Sequence, residues 1–302
     1  MSEFFKSPEV AKKSLDNLVE EISEIQNKKH GEILNLDSSI KMEGFESVSG
    51  FDVEKDKSRV LKQEEIFSDA HTTNSSRLDF FKDKGLDTPE KRLSYWREKE
   101  GTEPEKLEKA ILCVFYKFLN SEFIVARASK YDDYFNGVDT VIIDAKTQKV
   151  VGAFDEIRGT DSLIGNTKKL EKVFNKAREG GAHLKYGLNF ENELDENERQ
   201  KIVRKEMYHV PLFMIALSQQ DLENLLTGMN TEVEGQPSEI ETKIFNKILD
   251  SFENQIKIFE DPRSGIKGYV QQNINSFKGA ISRMRKMGEE KSSGHSSLER
   301  VV

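Results

Sequence analysis

The fold class predicted by this sequence is α/β: a small mixed β-sheet core flanked by helices, with added amino- and carboxy-terminal helices. Two apolar runs of strand length, residues 138–143 and 150–157, are separated only by a turn at Lys146-Thr147-Gln148. A third run, 210–217, is continuous and apolar, and its length suits a buried strand better than a helix. Helical stripes stand between and around these runs, which excludes an all-β sandwich and implies helices on the faces of the sheet.

Each element has a local reason. Residues 7–28 repeat Leu15, Leu18, Val19, Ile22 and Ile25 at helical spacing, and Ser7-Pro8 opens them with proline in the first turn. From 30 to 76 the periodicity is lost, and the stretch reads as a disordered linker. Two short helices are expected next, one in LDFFKDKG ending at Gly85 and one from Thr88-Pro89-Glu90 through Tyr95 and Trp96. Thr102 and Glu105 have capping-box spacing for a helix whose stripe is Leu107, Ile111, Val114, Phe115 and Phe118. Strands are then expected at 123–127, 138–143 and 150–157. A helix follows over 163–178, with stripe Leu170, Val173, Phe174 and Ala177, and Gly180-Gly181 stops it.

Residues 184–188 suit a short strand, 191–206 a polar insertion helical in part, 210–217 the buried strand and 219–226 a short helix. After a linker at 228–237, residues 238–259 carry Ile244, Phe245, Ile248, Leu249, Phe252 and Ile256 on one helical face. A last helix carries Ile266, Val270, Ile274, Phe277, Ile281 and Met284, and 288–302 reads as a disordered tail. The domain plan is 1–76 helix and linker, 77–228 α/β domain, 237–287 helical pair, then the tail.

Composition narrows the function classes. Of 302 residues, 33% are charged and 36% hydrophobic, and the net charge is -8. Any affinity for nucleic acid must therefore come from a local basic face. Cys113 is the sole cysteine, which excludes an internal disulfide and a thiol metal site and fits a reducing cytosol. The first residues lack a signal-peptide apolar block, and 210–217 is too short to span a bilayer as a helix. A soluble, cytoplasmic protein is expected, with no membrane partner. The five histidines show no zinc-ligand spacing, and there is no Gly-rich phosphate loop or nucleophile elbow.

The chemistry-bearing stretch runs from Tyr131 to Arg158, YDDYFNGVDTVIIDAKTQKVVGAFDEIR. Asp139 opens one strand, and Asp155 and Glu156 close the next, so acids from neighbouring strands gather at one sheet end. Hard carboxylate oxygens suit Mg²⁺ or Mn²⁺, and a bound ion activates water and neutralises charge on phosphate. Strand alternation puts Asp155 and Glu156 on opposite faces, so only one should point at Asp139. Glu108 follows one helix face with 111, 115 and 118 and is a third candidate acid, with Glu105 as its alternative. Lys168, Lys169, Lys172 and Lys176 on the next helix could contact a phosphate or form a solvated face. Asp132 and Asp133 read as turn and cap residues that could line the site. Tyr131 and Tyr134 could stack bases, although packing over the sheet edge fits them better.

The order helix–strand–strand–strand–helix–strand, with Asp139 after Gly137-Val138 and FDEI ending the following strand, resembles the PD-(D/E)XK nuclease superfamily. More narrowly, SKYDDYFNGVDTVIIDAKTQKVVGAFDE resembles uncharacterised bacterial proteins of reduced genomes with the same signature. The resemblance covers roughly residues 103 to 228. It implies Mg²⁺- or Mn²⁺-dependent hydrolysis of DNA or RNA, with Asp139 as first metal acid, Asp155 as second and a helix glutamate, Glu108, as auxiliary. No lysine stands two residues after the second acid; Arg158 follows Glu156 at that spacing. Some family members place the lysine on the following helix, which would favour Lys169 or Lys172, and others have lost activity. The alternative is a non-catalytic binding or assembly protein that docks partners, or a second copy, through the terminal amphipathic helices.

Overall fold

A computed structural model describes residues 8–70, 104–147, 149–159, 163–194 and 200–298, with Gly85, Thr88 and Lys91 besides. In chain order these form α1 (Pro8–His30), α2 (Val53–Ala70), α3 (Pro104–Leu119), β1 (Phe123–Arg127), a π-helical turn (Asp132–Asn136), β2 (Thr140–Asp144) and β3 (Lys149–Gly159). There follow α4 (Leu163–Glu179), β4 (Ala182–Leu194), β5 (Gln200–Val210), β6 (Leu212–Ser218), α5 (Gln219–Gly228), α6 (Glu239–Phe259) and α7 (Gly268–Leu298).

Four strands make one mixed sheet in the order β1-β2-β3-β6. The first three run antiparallel, and β6 joins β3 in parallel, with Phe154 opposite Phe213. A parallel neighbour needs a crossover. Here α4 and the β4–β5 hairpin supply it, and the hairpin forms a two-stranded sheet of its own. The expected adjacency of 138–143 with 150–157, and the place of 210–217 in the same sheet, are both found. The architecture is thus mixed α/β.

The core lies where β3 and β6 meet α3, α6 and α7. Rings of Phe154, Phe213, Phe252 and Phe277 pack with centroids 4.4–6.4 Å apart, the separations that favour tilted and offset aromatic pairs. Gly152 makes this possible: a Cβ there would lie 2.9 Å from the Phe154 ring and 3.1 Å from that of Phe277. At the start of α6, Ser238 and Glu241 form a capping box. The α6 stripe from Ile244 to Phe259 is buried, as are Leu15, Leu18, Val19 and Ile22 of α1, which packs on α3. Both terminal stripes therefore bury their apolar faces inside the chain itself.

Three expectations are corrected. Residues 30–76 are not a linker throughout. Ile33, Leu34, Ile40, Met42 and Phe45 are buried, Leu34 bridges Ile40, and Ser39 pairs with Arg127 at the β1 edge. These apolar side chains are buried one by one, so they leave no periodic trace. Val53–Ala70 is helix α2, tied to the hairpin by the Tyr186 hydroxyl, which donates to Asp56 at 2.8 Å.

Within 191–206, expected to be helical in part, the described residues 191–194 and 200–206 are strand. Ala182, Leu184, Tyr186, Leu188 and Phe190 alternate inward along β4, and β5 then gains its ladder from backbone pairing. Finally, α7 continues past 288 to Leu298. Gly288 lets α7 approach α6, since a Cβ there would lie 2.9 Å from the Phe245 ring, and the Lys291 ammonium donates to the Lys117 carbonyl. The helices expected around LDFFKDKG and Tyr95-Trp96 lie outside the described residues. No described helix is long and apolar enough to cross a membrane.

Candidate functional site

The β1–β2 connection builds the site. Its π-helical turn ends at Gly137, whose φ of 57° is the left-handed conformation that glycine adopts without steric cost. Asp132 holds this turn in place. It accepts from the Ser129 hydroxyl at 2.7 Å, the Asn136 amide at 2.6 Å and the backbone N–H groups of Lys185 and Tyr186 at 2.7 and 3.0 Å. Asp132 is thus the turn residue the sequence suggested, and it also clamps the hairpin. Tyr131 is buried against Phe135 and Tyr186, so it packs rather than offering a ring to bases.

Asp139 is fixed by its backbone: its N–H donates to the Phe154 carbonyl and its carbonyl accepts from Ala128, each at 2.8 Å. Its carboxylate accepts the Glu156 backbone N–H at 2.5 Å. Even so, burial, followed by the charges of Glu108 and Asp133, pushes the Asp139 carboxyl well above the usual carboxylate range. The charge of Asp155 acts in the same direction.

Glu156 is buried, and among the described residues neither of its carboxyl oxygens has a hydrogen-bond partner. Thr140 lies close enough to ease it slightly downward, yet no hydrogen bond of sound geometry joins them. Burial, then Asp139 and Glu108, drive Glu156 far upward. Asp155 is buried too, and its carboxylate lies 3.5 Å from the Lys172 ammonium. The alternation anticipated from sequence therefore holds: Asp155 meets α4, while Glu156 lies among Asp139, Glu108 and Arg127. Glu108 itself is paired with Arg127, and Glu105 pairs with Lys109 at 2.8 Å.

Asp133 joins these acids, which the sequence reading left open. Burial and the Glu108 charge raise it to about 7, against the opposing pull of Arg127. A cavity of about 280 Å³ opens here, lined by Asp133 and Asp139, with Asp37, Glu64 and Glu105 also in its wall and Arg127 and Lys130 as cations. Asp37 and Glu64 come from the stretch read as linker, so nothing in the sequence drew attention to them.

On α4, Lys172 and Lys176 stand one turn apart on one face. Their ammonium groups lie 3.2 and 3.3 Å from where a Gly137 Cβ would be. Lys176 donates to the Asn136 carbonyl, and burial and then the Lys172 charge lower its basicity. The side chains of Lys168, Lys169 and Arg158 lie outside the described residues. Of the lysines anticipated from sequence, the structure brings Lys172 and Lys176 to the acids.

Among the described residues, no three His, Cys, Asp or Glu side chains are placed so that they could hold a metal ion together. What they show is a gathering of Asp133, Asp139, Glu108 and Glu156, with no hydrogen-bond partner for the Glu156 carboxyl among the described residues. No protein-family model, curated protein or solved structure matches this chain.

Proposed function

We propose that the protein is a metal-dependent phosphodiesterase acting on nucleic acid, with a fold of the PD-(D/E)XK type. The observation that carries this reading is the buried Glu156 carboxyl beside Asp139, without a hydrogen-bond partner among the described residues, together with Lys172 beside Asp155 on the α4 side. A carboxyl cluster held up in pKa by burial and mutual repulsion is poorly suited to a purely structural role, and perturbed groups of this kind concentrate at functional sites.

Asp139, Asp155 and Glu108 would hold Mg²⁺ or Mn²⁺, with Glu156 in support. Side-chain rotation would be needed to close the set, and the ion would relieve the repulsion among the acids. When bound, the ion lowers the pKa of water and neutralises charge developing on phosphate. The chain's own residues do the rest. The Glu156 N–H fixes the Asp139 carboxylate, and the α4 lysines supply positive charge where a scissile phosphate would sit. The cavity wall carries more carboxylates than cations, so phosphate would be repelled until a divalent ion entered.

The purified chain should nick plasmid DNA or cut labelled RNA with Mg²⁺ or Mn²⁺ present, and EDTA should stop it. Cleavage that survives Asp139→Asn and Asp155→Asn together would overturn the assignment. The assembly-protein reading has less support, because the terminal stripes it would use are already buried in the chain's own core.

A further inference from the structure

Away from the acids, the base of the β4–β5 hairpin carries a row of aromatic rings that the acid chemistry does not use. His183 and Tyr208 stack with centroids 4.6 Å apart and planes at 3°. Tyr208 approaches His209 at 6.3 Å, and His209 meets Tyr269, near the start of α7, at 4.2 Å. Tyr208 is 57% exposed and Tyr269 41%, so the row faces solvent.

The centre of the row is held under strain. His209 has a φ of 64°, and among the described residues only Ser38 shares a positive φ without being glycine. Such strain persists where surrounding contacts over-determine it, and it gathers at functional sites. Here His209 Nδ1 donates to the Gly180 carbonyl at 2.8 Å, and the Asn273 amide donates to the His209 carbonyl at 2.7 Å. A cross-strand ring pair such as His183–Tyr208 would stabilise the hairpin on its own. Hairpin stability does not require the strained His209 or the exposed Tyr269.

The row also continues the lysine line of α4. Lys172 and Lys176 share one face of α4, which ends at Glu179; just beyond it, a Cβ at Gly180 would lie 3.3 Å from the Tyr269 hydroxyl and 3.6 Å from His209 Nδ1. At about 1.5 Å rise per residue, Lys172 stands about 6 Å further back along the axis than Lys176. Lys267, with its ammonium 5.9 Å from the Tyr269 ring centroid, adds a cation at the rim.

We propose that this row is a base-stacking platform for single-stranded nucleic acid, whose phosphates follow the α4 face to Lys176 and Lys172. The proposal rests on the phosphodiesterase reading and names its substrate class. Bases offer free faces to protein rings when unpaired, and each such stack contributes substantially to affinity.

The test is fluorescence anisotropy in EDTA, so that neither metal nor cleavage enters. The probes are a labelled thymidine oligonucleotide, its adenine duplex and an abasic strand of the same length. The Tyr208→Ala/Tyr269→Ala double variant should weaken binding of the thymidine strand by about tenfold or more. Tyr208→Phe/Tyr269→Phe, which keeps the rings, should stay within about twofold, as should duplex and abasic-strand binding by either variant. Unchanged affinity of the alanine variant for the thymidine strand would overturn the platform, whether or not its melting midpoint falls. An equal loss on the abasic strand or the duplex would also overturn it. The wild type then receives Mg²⁺. Ring-dependent binding with cleavage of neither this strand nor a uridine RNA strand retains the platform and removes the phosphodiesterase reading. Cleavage of the thymidine strand with no ring dependence does the reverse.

Discussion

Two aspartates bracket the same strand and meet opposite fates. Asp144 ends β2 with its side chain buried, and it is fully compensated. The Arg283 guanidinium pairs with it, the Thr147 hydroxyl donates at 2.8 Å, and the Lys146 and Thr147 N–H groups donate at 2.9 and 3.3 Å. Burial pushes its carboxyl up, but these partners outweigh burial and hold it below the usual range. Asp139, just before β2, is half-buried and is also raised by desolvation, yet its neighbours are Glu108, Asp133 and Asp155. Burial alone therefore does not mark a functional acid. The mark is burial that the protein leaves uncompensated, because a structural site would have supplied the counter-charge.

The largest effects should come from breaking each end in turn. Arg283→Met leaves Asp144 buried without its cation and should cost about 2–4 kcal/mol in urea denaturation. Glu156→Gln replaces a buried carboxyl that has no hydrogen-bond partner among the described residues and should leave stability unchanged or raised. If the two variants cost the same, the contrast between the ends is wrong. Asp139→Asn should lower metal-dependent cleavage by at least about 100-fold, with no comparable loss of stability; an active variant would remove Asp139 from the site.

The pH dependence should also differ between the two ends. Folded Asp133 is held at about 7, against about 4 for an unfolded aspartate. Between those values the unfolded chain releases a proton that the folded chain keeps, so stability falls as pH rises through the window. Asp139 and Glu156 act in the same direction. Asp144 does the opposite: its stabilisation is complete above the ordinary carboxylate pKa and is lost as pH falls through its depressed folded value. The denaturation midpoint should decline from about pH 5 to about pH 8, and Asp133→Asn with Glu156→Gln should flatten that decline. A midpoint that rises over this range in the wild type would contradict the shifts. The smallest effect is expected from Gly137→Ala, about 1 kcal/mol for a Cβ at left-handed φ, plus displacement of Lys172 and Lys176. Wild-type turnover in that variant would separate the lysines from the chemistry.

The sheet was readable because 138–143, 150–157 and 210–217 are apolar runs with turn residues around them, which admit few other pairings. The hairpin was only half visible. Inward alternation from Ala182 to Phe190 is present in the sequence, but β5 is polar and relies on backbone pairing, which leaves no side-chain pattern. The stretch that supplies Asp37 and Glu64 was missed for a related reason: single buried residues such as Phe45 have no period. At the site, Asp139, Asp155 and Glu156 could be named from strand ends alone. Which lysines face them depends on how α4 is rotated, and that is fixed by tertiary packing. Asp132 and Asp133 are adjacent and identical in type, and only the fold decides that one clamps a turn while the other lines a cavity.

We propose a divalent-cation site at Asp139, Asp155 and Glu108, and isothermal titration with Mn²⁺ near pH 7.5 examines it. The account predicts a saturable site in the wild type, with heats that vary with buffer ionisation because binding displaces protons from raised carboxyls, and loss of that site in Asp139→Asn. A flat wild-type titration, or binding that Asp139→Asn leaves intact, would contradict it.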